Sequence, residues 1–173
     1  AKQTAMAIDD TRPIYDVLLD DFDPGTTTAS LVPMFERLRD GTVELLEALN
    51  YEAGEPLGGH WDVDRQKQFH DLVAKAVGYS MTDGRLDQAE HPFTVGIGAG
   101  DIRITTHYYP DDLLVGLSGT VHECGHGMYE QGIPAALSGT GAGTAASMGL
   151  HESQSRFWEN TIGRSEPFCG WIE

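Results

Sequence analysis

The feature that most constrains this chain is the run His122-Glu123-Cys124-Gly125-His126, an H-E-x-x-H pattern. In a helix, residues four apart lie on one face, so the imidazoles of His122 and His126 can reach the same metal ion. Zinc lowers the pKa of a water that it binds, and the neighbouring carboxylate of Glu123 can take the proton. The pattern therefore predicts a helix that carries two metal ligands and a general base.

A catalytic zinc site takes a third protein ligand and keeps one position open. Glu152 is a candidate, because it lies on the next predicted helix in the run His151-Glu152-Ser153-Gln154-Ser155-Arg156. Glu159 lies one helical face away on the same helix, and Glu130 projects from the end of the first. Spacing alone leaves these three glutamates open as the third ligand.

Apolar periodicity and turn signals predict a mainly helical chain. The predicted helices run from Pro13 to Leu19, Ser30 to Leu49, Asp62 to Gly78, Asp112 to Tyr129 and Thr144 to Ile162. In the helix after the N-cap Asp62, we expect one apolar face made of Phe69, Leu72, Val73 and Ala76. Segments rich in glycine predict loops from Tyr51 to Gly59 and from Gly132 to Gly143.

Two β-branched runs interrupt the helices, from Thr94 to Ile97 and from Asp101 to Tyr108. The turn Gly98-Ala99-Gly100 separates them, so we predict a small antiparallel β element in which Ile102 and Ile104 share a face. The length of 173 residues suits a single domain, and we expect one over residues 1–173.

The charge balance disfavours nucleic acid as a partner. The chain has 27 acidic and 11 basic residues, a formal net charge of −16 and a pI near 4.6, and this field would repel phosphates. An acidic surface with few lysines is typical of adaptation to high salt, and equally of an ordinary acidic soluble protein.

Membrane insertion and disulfide bonding are not expected either. No apolar run is long enough to span a bilayer, and Cys124 and Cys169 are too few for a disulfide framework. The N-terminus lacks the pattern of a signal peptide, which predicts a cytoplasmic location. Cys124 is interpreted as a small buried filler.

Four motifs in order resemble the M32 family of metallocarboxypeptidases, which is related to carboxypeptidase Taq. These motifs are His91-Pro92-Phe93, Asp101-Ile102-Arg103-Ile104-Thr105, His122 to His126, and His151 to Arg156. The resemblance implies a mostly helical, zincin-like (gluzincin) core that hydrolyses C-terminal residues from peptide substrates. It also implies zinc, or cobalt in some members, and commonly a homodimer.

The resemblance further implies that Glu152 is the third metal ligand and Glu123 the general base. It places His91, Arg103 and Thr105 around the substrate cleft, although a structural salt bridge to Asp101 or to a neighbouring acidic residue is an equal explanation for Arg103. His151 and Arg156 are interpreted either as partners of the metal ligands or as surface residues.

Family members are much longer, so the chain resembles a central part of their fold. Two alternative functions follow, a catalytically silent metal-binding fragment and a zincin endopeptidase.

Overall fold

The computed structural model of the protein describes residues 1–49 and 57–173. The helices are α1 (Lys2–Ile8), α2 (Ile14–Leu19), α3 (Thr28–Ala48), α4 (Val63–Val77), α5 (Leu113–Gln131), α6 (Met148–Arg156) and α7 (Glu166–Ile172), and the strands are β1 (Leu86–Gln88), β2 (Thr94–Gly98) and β3 (Asp101–Thr106). Most of the predicted loop from Tyr51 to Gly59 lies outside the described residues.

The chain forms two compact units, of which the first comprises residues 1–55, described as far as 49, and Ser147–Gly149. Its buried residues include Ala5 and Val17, and the buried carboxylate of Asp16 accepts the Thr28 N–H at the start of α3. The predicted α2 and α3 are both present. No residue of α3 that the structure describes is buried, so its regular apolar spacing does not here mark a core face.

The second unit comprises Pro56–Ala146 and Leu150–Glu173 and contains a mixed three-stranded sheet. The strand order is β1-β3-β2, with β2 antiparallel to β3 as predicted and β1 parallel to β3. The prediction of a purely antiparallel element was therefore wrong. Strand β1 has only the three residues Leu-Asp-Gln, too short a run for alternation to reveal it.

Helix α4 begins and ends as predicted, because Asp62 caps its first turn and Gly78 leaves it with a φ of 111°. Its buried face differs from the prediction. Gln66, His70, Val73 and Ala74 are buried, whereas Leu72 is 54% exposed. The amide nitrogen of Gln66 donates to two carbonyls, and Nδ1 of His70 lies 2.8 Å from the Thr120 hydroxyl, so both side chains make hydrogen bonds inside the unit. An apolar pattern cannot register such residues.

Helix α5 is the centre of this unit and packs on β3, α4 and the segment after α6. Val121 and Leu117 contact Val73 of α4 and Phe168 of α7 in one apolar cluster. A second cluster unites Cys124 with Ala74, Tyr79 and Ile104. The helix that carries H-E-x-x-H is thus fixed on both sides by buried contacts.

The C-terminal part departs most from the prediction. The predicted helix from Thr144 to Ile162 begins only at Met148 and widens to a π-helix over Phe157–Ile162. Helices α1 and α7 have seven residues each and were not predicted. Among the helices in the described ranges, none has the length and apolar character needed to cross a bilayer.

Candidate metal centre

The side chains of His122, His126 and Glu152 converge, and one potential ligand atom from each lies within 4.8 Å of the others. Oε2 of Glu152 is 3.3 Å from Nε2 of His126 and 3.8 Å from Nε2 of His122. Ligands around one tetrahedral zinc are separated by roughly 3.4 Å, as its bond lengths of about 2.0–2.2 Å require. Two imidazoles and a carboxylate are also a donor set that zinc uses, so these residues fit a divalent cation.

The local fold explains this convergence. His122 and His126 lie one turn apart on α5, and Glu152 comes from α6, whose backbone passes very close. A Cβ atom at Gly125 would lie 2.6 Å from Cα of Ser155, below any normal contact. Glycine at this position therefore allows α6 to approach closely enough for Glu152 to reach the two histidines.

Glu123 lies beside this cluster and is only 6% exposed. The hydroxyl of Thr94 on β2 donates to Oε2 of Glu123 at 2.6 Å. Burial raises the pKa of Glu123, and the hydrogen bond from Thr94 offsets part of that rise. A buried carboxylate with a raised pKa is a stronger base than a glutamate in water.

His126 is neutral at neutral pH, as a metal ligand must be. The pKa of His126 is lowered to about 4, mainly by burial and in part by the neighbouring imidazoles of His151 and His122. The ring of His151 stacks on that of His126 with centroids 4.3 Å apart, and its Nε2 lies 3.0 Å from Oε1 of Glu130. The structure therefore places His151 and Glu130 next to the cluster, with Glu130 on His151 instead of at the ligand position.

Glu159, the other rival for third ligand, contacts the side of the His122 ring that faces away from Glu152. Its Oε2 lies 2.8 Å from Nδ1 of His122. Arg156 donates to Oε1 of Glu152 at 2.8 Å and to Oε2 of Glu159 at 3.4 Å. Arg156 thus joins the two carboxylates, and its side chain is 57% exposed, so it is a partner of Glu152 and a surface residue at the same time.

The three residues predicted to bind substrate are tied to the sheet. Arg103 makes a two-point ion pair with Asp101 at 2.8 and 2.7 Å, the alternative that the sequence left open. The Thr105 hydroxyl donates to the His91 carbonyl at 3.2 Å and accepts the Phe93 N–H at 2.9 Å. The side chain of His91 is exposed. A role in substrate binding stays a prediction for His91, Arg103 and Thr105.

Sequence reasoning missed Thr94. Threonine is a common residue at the start of a strand, and nothing in the local sequence indicates that its hydroxyl contacts Glu123 on a helix.

The interpretation of Cys124 as a buried filler is confirmed. The thiol is fully buried, and burial raises its pKa well above the usual range, which leaves it protonated.

Comparison with known proteins gives a consistent answer. The family model described as carboxypeptidase Taq (M32) metallopeptidase matches residues 1–173. Thermostable carboxypeptidase 1 of Thermus thermophilus is 45% identical over 159 residues, which is 90% of this chain and 31% of that protein. Carboxypeptidase 1 of Bacillus subtilis is 40% identical over 158 residues, covering 89% of this chain and 32% of its own length.

A solved structure shares the fold described above. The M32 carboxypeptidase from Deinococcus radiodurans R1 superposes with a TM-score of 0.90 at 36% identity, over 98% of this chain and 36% of that one. This chain therefore spans about a third of the length of the proteins that it matches.

Proposed function

Since the chain belongs to the carboxypeptidase Taq (M32) family of metallopeptidases, we propose that it is the metal-binding, catalytic part of an enzyme that removes residues from the C-termini of peptides. The observation that carries this proposal is the convergence of His122, His126 and Glu152 next to the buried carboxylate of Glu123. We place this arrangement in a zincin-like core.

The chemistry assigns a separate task to each residue. A divalent cation, when bound, supplies Lewis-acid activation of water and stabilises negative charge on the scissile carbonyl. His122, His126 and Glu152 would hold that cation. Glu123 accepts the proton of the attacking water and returns it to the leaving amine, a transfer favoured by its burial and raised pKa.

The ion proposed is Zn²⁺, because two neutral imidazoles and one carboxylate suit it, with Co²⁺ as the alternative. Elemental analysis after purification identifies the metal.

Peptides are the proposed partners, and we propose a substrate cleft bordered by His91, Arg103 and Thr105. We further propose that the protein is a homodimer and that it is located in the cytoplasm.

The central test replaces the base and keeps its shape. Glu123→Gln is expected to bind Zn²⁺ as the parent does but to lose hydrolysis of an N-blocked dipeptide by at least about 10³-fold, because an amide cannot take the proton. Glu36→Gln, an exposed glutamate on α3, is the matched control and should leave the rate unchanged.

The same assay separates the rival functions. Normal turnover by Glu123→Gln would remove this residue from the role of base. Binding of Zn²⁺ by the parent without any turnover would identify a silent metal-binding chain. Cleavage of peptides that are amidated at the C-terminus would identify an endopeptidase.

A further inference from the structure

The ring of His122 lies between two carboxylates. Its Nε2 faces Glu152 at 3.8 Å, and its Nδ1 lies 2.8 Å from Oε2 of Glu159. A neutral imidazole donates from one nitrogen and presents a lone pair at the other. A carboxylate at Nδ1 accepts a hydrogen bond there, so it selects the tautomer in which Nε2 is free to bind a cation.

The carboxylate of Glu159 is itself held in place. Its side chain is only 13% exposed. The Ser118 hydroxyl donates to Oε1 at 3.2 Å and Arg164 donates to the same atom at 3.3 Å. Three elements therefore converge on Glu159: the π-helix that carries it, α5 through Ser118 and His122, and the turn after the π-helix through Arg164.

One helical stretch presents both carboxylates to α5. Glu152 lies on α6, and Glu159 lies on the π-helix Phe157–Ile162 that continues it. Arg156, between them in sequence, donates to both. The two glutamates are spaced so that they face opposite nitrogens of the His122 ring. One carboxylate can therefore share a cation with this imidazole while the other holds the ring in place.

We infer that Glu159 is a positioning residue that orients His122 and fixes its tautomer for metal binding. This inference rests on the proposed function, because it takes His122 as a ligand. Glu159 does not contact the cation or the substrate in this role; its effect reaches the site through the imidazole. Such carboxylate partners of a histidine ligand strengthen its basicity and restrict its ring.

Metal affinity measures this role without reference to activity. In the intact protein, Zn²⁺ binding is measured by competition with a chromophoric chelator. Glu159→Gln keeps the shape of the side chain but removes its charge, and we expect it to weaken Zn²⁺ affinity by roughly 10- to 100-fold. Glu166→Gln, an exposed glutamate on α7, is the control and should bind Zn²⁺ as the parent does.

The ¹⁵N chemical shifts of His122 in the metal-free protein give a second readout that a merely structural role would not move. The parent should show the Nδ1–H tautomer. Glu159→Gln should lose this preference, because an amide can donate as well as accept.

The outcomes are distinguishable. An affinity for Glu159→Gln within about twofold of the parent, or an Nε2–H tautomer in the parent, overturns the positioning role and leaves the metal site intact. His122→Ala is measured alongside. If it retains the parent affinity for Zn²⁺, the proposed site itself is wrong.

Discussion

At the scale of single residues, Glu123, the proposed general base, accepts a hydrogen bond from a hydroxyl on another element. Glu123 lies on α5 and Thr94 begins β2, and the 2.6 Å hydrogen bond between them fixes one carboxylate oxygen. The orientation of this carboxylate therefore depends on the sheet as well as on the helix.

We predict that Thr94→Val lowers kcat by roughly 10- to 100-fold, because a hydrogen bond to a charged group is worth about 1.5–3 kcal/mol. Valine has the same shape and β-branching, so the strand is preserved. The measurement is the steady-state hydrolysis of the N-blocked dipeptide, together with Zn²⁺ affinity, which should not change.

Thr94→Ser is the matched control, since it retains the hydroxyl and should retain most of the activity. Equal rates for Thr94→Val and the parent would show that Glu123 needs no such support.

Residues with a chemical motif could be predicted from the sequence, whereas their partners could not. His122, Glu123 and His126 follow from the period of a helix, and the structure brings the proposed ligand Glu152 to the two histidines. Thr94 and Ser118 touch the site only because strand and helices pack in a particular way, which no local pattern encodes. Spacing makes Glu159 a candidate ligand, but it does not predict which nitrogen of which imidazole this carboxylate contacts.

At the scale of elements, α5 is approached on several sides through glycines. Tyr79 packs against Gly127, where a Cβ atom would lie 2.8 Å from its ring, and the backbone of α6 crosses at Gly125. Gly119 differs, because a Cβ there would meet only Pro92, at an ordinary 3.5 Å. Glycine also permits a close approach at Gly116, where a Cβ would lie 2.7 Å from the His107 carbonyl oxygen, so Gly119 is the exception among the glycines of this helix.

These contacts predict opposite results for two substitutions in one helix. Gly125→Ala should lower the free energy of unfolding by about 1–3 kcal/mol and weaken Zn²⁺ binding, because its Cβ forces α6 and Glu152 away. Gly119→Ala should be neutral or stabilising by up to about 1 kcal/mol, since alanine favours a helix. Urea unfolding of both variants checks the pair, and equal stabilities would contradict the close approach.

The ends of α4 and the start of α5 could be predicted because Asp62, Gly78 and Asp112 are residues whose local chemistry starts or stops a helix. Elements that depend on distant contacts were missed. Strand β1 exists because β3 offers it a parallel partner, and the π-helix Phe157–Ile162 itself packs against α5. The exposed apolar side chains of α3 show the converse, since periodicity predicts a helix without revealing what covers it.

At the scale of the whole molecule, the net charge of −16 opposes compactness, because like charges repel more strongly in the folded state than in an expanded chain. Several acidic residues are paired with arginines, for example Asp87 with Arg85 and Asp101 with Arg103. Because the chain has 27 acidic and only 11 basic residues, there are too few basic side chains to pair with most of the carboxylates.

Added salt should therefore stabilise the protein. Between 0.1 and 1 M NaCl the screening length falls from about 10 to about 3 Å, which weakens the repulsion. We expect Tm to rise by a few degrees, as a gain of about 1 kcal/mol raises it by ~2–4 °C in a chain of this size. Sucrose at equal osmolality does not screen charge and is the control; a flat Tm in salt, or an equal rise in sucrose, would contradict the repulsion.

The sheet has a consequence for how this protein acquires its structure. All three strands come from the continuous segment 86–106, so each pairing closes a short loop and loses little chain entropy. His122 and Glu152, by contrast, meet across a long connection that contains two short 3₁₀ turns. The sheet against which α5 packs can thus form from residues that are close in sequence, before the more distant α6 has to arrive.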